Sequence, residues 1–147
     1  MTGVDVAGAG SLDDPVGLDA RRRRAVDEAA REAVGPTPRC PGIAVRRFGR
    51  GCLVIAIAGS FDDAARARLD AVARDLSGLA TVELVVCASG LVGCDRRLAR
   101  LLSRLRLHHL MAGARVELHD PPVELTDELG RTPAEPFTVR DRATLEG

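Results

Sequence analysis

The sequence predicts an α/β domain: a mixed β-sheet of about four strands with helices packed mainly on one face. Three observations carry that expectation. Residues 43–48 and 52–58 are β-rich runs separated by Gly49-Arg50-Gly51, which reads as a hairpin whose glycines supply positive φ angles. Residues 62–77 place Ala65, Leu69, Val72 and Leu76 on one helical stripe. The chain then enters 84–87, an unbroken apolar run with two adjacent valines, which suits a strand covered on both faces. Helix 62–77 is therefore read as a right-handed crossover between parallel strands.

In chain order, residues 1–40 are expected to form an N-terminal extension outside the core, 41–140 the domain and 141–147 a tail. Residues 1–17 carry no apolar period and are expected to be disordered. A helix is expected over 19–34, from Val26, Ala29, Ala30, Ala33 and Val34, with Gly35-Pro36 as its stop. Its four arginines, Arg21 to Arg24, oppose the helix dipole, so the first turn should fray. They form either a solvated tether or a patch for a partner or RNA. Prolines make 37–41 a linker. Asp62 or Asp63 caps the crossover helix, and Gly78 ends it.

After the 84–87 strand, Ser89-Gly90 reads as a turn and Asp95 as the cap of a helix running to about Met111, with leucines at 98, 101, 102 and 105 inward. Arg97, Arg100, Arg104 and His108 line its outer stripe; a solvated face accounts for them better than a nucleic-acid contact does. His108 and His109 complement the helix's negative end. Val116 and Leu118 alternate with Arg115, Glu117 and His119, as in a strand near an edge with one face buried. A last short helix contains Leu125 and Leu129, and 136–139 adds a little extended chain.

The order Ser89-Gly90, short loop, Asp95, Leu-rich helix, Gly113 and a strand resembles the STAS domain of bacterial anti-sigma factor antagonists. Upstream, Gly59-Ser60-Phe61-Asp62 is similar to the family's Gly-x-Leu-Asp signature, with Phe for Leu; downstream, Pro121-Pro122 and 127–130 fall where its last helix lies. The resemblance covers about residues 43–140. It implies a binding module that captures an anti-sigma factor, usually a serine kinase, which switches it off by phosphorylating a Ser directly after the aspartate matching Asp95. A doubly charged group there would disrupt the contact by repulsion. This chain departs from that pattern: Arg96 and Arg97 stand where Ser is common, Leu98 where Gly is usual, and Cys87 where an acidic residue often ends the strand. No phosphorylation is therefore expected at Arg96.

Composition narrows the remaining classes. Lys+Arg and Asp+Glu are 21 each in 147 residues, so no overall field draws the chain to DNA or a membrane. All the basic residues are Arg, and Lys, Asn, Gln, Trp and Tyr are missing, which reads as genomic base composition. Three Phe give no stacking platform for single-stranded nucleic acid. No apolar run reaches the roughly 18–20 residues of a membrane span, and the expected location is cytoplasmic. Cys40, Cys52, Cys87 and Cys94 lack disulfide or Cys-x-x-Cys spacing, and buried thiols account for them better than a metal site with His108 and His109. Neither a metal nor a cofactor is expected.

No nucleophile-and-base motif or phosphate loop occurs, and capping accounts for Asp62 and Asp95 without catalysis, so the chain is read as no enzyme. The expected partner-binding residues are Asp62, Gly93, Cys94, Asp95, Arg96, Arg97 and Arg100, and the expected partner an anti-sigma factor or related serine kinase. The alternative is a structural STAS subunit of a larger signalling assembly, bound to other STAS domains. A small-ligand sensor built on the helix N-terminus is a third reading.

Overall fold

Cys52–Gly59, nearly all apolar and buried at every position, is the strand on which the sheet is built (β2). β1, Gly42–Gly49, runs antiparallel to it. β3, Glu83–Leu91, β4, Arg115–His119, and the short β5, Thr138–Arg140, follow in parallel, giving the order β1-β2-β3-β4-β5. In this computed structural model residues 15–131 and 138–140 are described; the expected disorder of 1–14 and the tail 141–147 lie outside them. Four helices join the strands: α1, Pro15–Ala33; α2, Asp63–Ser77; α3, Arg96–Met111; and α4, Val123–Gly130. The mixed sheet of the sequence reading is present, with a short fifth strand outside the four.

Strand alternation sorts the core into two layers. Leu53, Ile55 and Ile57 of β2, with Leu84 and Val86 of β3, face α2 and α3, whose Leu69, Leu76, Leu98 and Leu102 are buried against them. Val54, Ala56 and Ala58, with Val85 and Cys87, face the other way, onto α1. Residues 15–34 are thus not the separate arm expected from their Ala and Val content. Ala25, Ala29 and Ala33 recur every fourth residue and are 0–4% exposed, opposite a sheet face that also has small side chains, Ala44, Ala56 and Ala58. Small residues on both surfaces let helix and sheet approach closely. A Cβ on Gly42 would come within 1.8 Å of the Ala33 carbonyl oxygen.

The arginine run is not a frayed tether. Arg22 forms a bidentate pair with the buried Glu83, Nε–Oε2 2.8 Å and Nη2–Oε1 2.9 Å, and lies over the Phe48 ring at 5.5 Å. Burial alone would lower the Arg22 pKa, but Glu83 and Asp19 outweigh it and leave it raised. Arg21 donates to the Phe48 carbonyl at 3.1 Å. The helix starts at Pro15 instead of 19, a residue suited to the first helical position.

Other expectations need correction. Ser89-Gly90 is not a turn: β3 continues through it to Leu91, with a register shift opposite Ala56 and Ala58. Gly90 is required there for close approach, since a Cβ would meet that of Ala58 at 2.8 Å. In the hairpin Gly51 takes positive φ (73°) and Gly49 does not; the irregularity falls between Arg47 and Gly49. β4 lies near an edge, next to β5, but is not covered on one face alone: Glu117 and His119 are also buried, 3.3 Å apart. His109 points into the core at 1% exposure instead of capping the helix end, and its Nε2 has no hydrogen-bond partner among the described residues. Residues 37–41 also pack: Arg39 O accepts from Ser60 N at 3.0 Å, and Thr37, Pro38 and Cys40 with Val34 and Gly90 line an apolar cleft of about 380 Å³.

Candidate partner-binding surface

The two parallel strands β2 and β3 end side by side, and the helices that follow them start side by side. Gly59 closes β2 with φ 83°, and its carbonyl accepts from Val92 N at 3.0 Å, tying one loop to the other. Gly93 takes φ 84° with nothing within 4 Å of its missing Cβ, so it serves the turn and not a contact. Each helix is then capped by an aspartate in extended conformation: Asp62 Oδ1 accepts from Ala65 N at 2.8 Å, and Asp95 Oδ1 from Leu98 N at 2.9 Å.

Arg66 joins the two starts. Its Nη1 donates to the Phe61 carbonyl and to Asp95 Oδ2, both at 3.1 Å, and its Nη2 pairs with Asp63. Arg97 reaches the same Asp63 at 3.4 Å. Both oxygens of Asp95 are therefore engaged, one by a helix amide and one by a guanidinium. Arg66 was not singled out from sequence, although its place four residues after the cap Asp62 puts it over the first turn.

The residues expected to bind a partner are gathered here. Asp62, Gly93, Asp95, Arg96, Arg97 and Arg100 are exposed, with Arg100 one turn further along α3, and Cys94 is half-buried. Among the described residues Arg96 and Arg100 have no ion-pair partner. Burial, with Asp95, Glu128 and Glu124 adding to it, pushes the Cys94 thiol up to about 12, so it stays protonated and is no nucleophile at neutral pH. Cys87 lies in the layer under α1, whereas His109 belongs to a helix on the opposite face of the sheet. Among the described residues no three His, Cys, Asp or Glu side chains group as metal ligands, and no helix is long and apolar enough to cross a membrane.

No family model matches the sequence, and no curated protein matches it either. Solved structures do. A serine-to-glutamate variant of Moorella thermoacetica RsbS superposes with a TM-score of 0.55 at 18% identity, over 68% of this chain and 86% of the other. The anti-sigma factor antagonist SpoIIAA in its unphosphorylated form superposes with a TM-score of 0.57 at 20% identity, over 71% and 91%. The chain has the STAS fold. Its sheet, its crossover helix and the paired helix starts correspond to the architecture expected from the 43–140 stretch. α1 adds a cover to the second face of that STAS sheet.

Proposed function

We propose that this chain is a STAS regulatory protein, resembling an anti-sigma factor antagonist, which binds an anti-sigma factor or related serine kinase and so influences sigma-dependent transcription. The contact surface is the pair of helix starts: Asp62, Gly93, Cys94, Asp95, Arg96, Arg97 and Arg100. The observation that carries this reading is Arg96. It directly follows the cap Asp95, is exposed, and puts a fixed positive charge where a phosphorylatable hydroxyl would act as a switch. A guanidinium in the first helical turn faces the positive end of the dipole and is unfavourable by about 0.3–1 kcal/mol when exposed, so helix stability does not account for it. An acidic patch on a partner does, and the contact is then permanent instead of phosphate-regulated.

The test is capture of the partner from the native cytoplasm, its identification, and calorimetric titration with wild type, R96S and R96S/R97S. The single variant should fold unchanged and bind severalfold more weakly, and the double variant about tenfold or more, a loss near 1.4 kcal/mol. Equal affinities across the three would overturn the assignment. A structural subunit of a larger assembly is the second reading. It requires self-association or co-assembly with other STAS domains.

A further inference from the structure

α3 is the middle helix of its layer, touching α2 on one side and α4 on the other. Its outer surface begins basic. Arg96, Arg100 and Arg104 stand four residues apart, all exposed, and among the described residues none has an ion-pair partner. That spacing makes one stripe about 12 Å long. Arg66 and Arg97, by contrast, are held by Asp63 and Asp95. Further along, the surface turns apolar: Leu107 is 52% and Met111 81% exposed.

The neighbouring helix carries the opposite charge. Glu124 and Asp127 of α4 are exposed and, among the described residues, without ion-pair partners, and Val123 beside them is 71% exposed. Glu124 acts electrostatically on Cys94, in the loop before α3, so acidic helix and basic stripe are near neighbours. Both helices follow parallel strands, β3 and β4, and therefore start at the same edge of the sheet.

Adjacent patches of opposite charge on one face are self-complementary under a two-fold rotation. With the axis along the groove between α3 and α4, the start of α3 in one copy meets the start of α4 in the other, and the contact is made twice. Arg96 then faces the partner subunit's Glu124, and Arg100 the partner subunit's Asp127. We propose that this face is a homodimer interface whose occupant is a second copy of the chain. Neither patch has an ion-pair partner among the described residues of its own chain, and each supplies what the other lacks. The inference goes beyond the regulatory reading and does not rest on it. Arg96 and Arg100 belong to both surfaces, so self-association and partner capture exclude one another.

The experiment measures mass by light scattering and sedimentation at concentrations up to about 100 µM, where a small interface assembles. Wild type should approach twice the 15.6 kDa of the chain at about 0.05 M salt and dissociate at about 0.5 M salt. R96E/R100E and E124R/D127R should each be monomeric, because each sets like charges against like in both halves of the contact. Mixed in equal amounts they should form a heterodimer, since both halves then pair opposite charges. Matching thermal transitions would show that the variants are folded. A wild type that stays monomeric throughout, reversal variants that still dimerise, or a mixture that stays monomeric would each overturn the proposal.

Discussion

Replacing Arg22 with Met should destabilise the protein by about 2–3 kcal/mol. Methionine keeps much of the stem packing over Phe48 but removes the guanidinium that meets both oxygens of Glu83, whose side chain is only 4% exposed. Removing one member of a buried pair typically costs about 3–5 kcal/mol, because the other is left charged and dry. The Arg22 side chain retains 17% exposure, so water can reach the vacated position and the cost falls below that range. Glu83→Leu alone should cost about 1 kcal/mol, since Arg22 can still turn to Asp19 and solvent. Additive effects would put R22M/E83L at about 3–4 kcal/mol, whereas an apolar replacement of the whole pair should leave it within about 1 kcal/mol of wild type. Urea unfolding of the four proteins measures the cycle, and the single Arg22 variant should melt roughly 6–10 °C lower. A loss under about 0.5 kcal/mol for R22M, or an additive double variant, would refute the claim that this pair fixes α1 to the sheet.

Two further outcomes follow from geometry and burial. Gly59→Ala combines positive φ with a Cβ only 2.1 Å from the Cys40 carbonyl oxygen, while Gly93→Ala has the same backbone strain in open space, so denaturant midpoints should show a loss of about 3 kcal/mol or more for the first against about 1–2 for the second; equal losses would count against the packing of 37–41 on β2. Burial, with His108 adding to it, holds the His109 pKa below its usual 6.5, so below that pH the unfolded chain binds a proton the folded chain refuses. Stability should be level above that value and fall by up to about 1.4 kcal/mol per pH unit from this residue as pH drops toward the lowered folded pKa, a slope that His109→Leu should remove. Unfolding curves with identical pH dependence in wild type and variant would place His109 in contact with water.

The helix starts were legible because their signals are local. An aspartate before a leucine stripe reports its own cap, and Asp62 and Asp95 both accept the amide three residues on. The run 84–87 announced a doubly covered strand for the same reason: every side chain in it is buried. What covered its second face was not legible. Ala25, Ala29 and Ala33 contribute little apolar area each, so the residue types looked like those of an exposed tether, and only the matching Ala44, Ala56 and Ala58 opposite make them a seam. Gly90 misled in another way. Glycine serves turns and close contacts alike, and its neighbour across the strand, Ala58, lies 32 residues away in sequence. The link through Arg66 joins two elements by one side chain, which periodicity within either element does not register.

The cover on the second face has a consequence for the order of folding. α1 leads the described chain, yet the surface it needs is built from β1, β2 and β3, and the Arg22–Glu83 pair closes a loop of 61 residues. A lone 19-residue helix is marginal in water, and this one has no acidic residue in its first turn, and only Asp19 to offset the four arginines that follow. Its stability must therefore come from docking, after the β2–α2–β3 unit has formed and Val85 and Cys87 are in place. Without α1 in place Val54, Ala56 and Val85 present a bare apolar sheet face, through which a chain with the helix undocked is open to association by its own unfinished core.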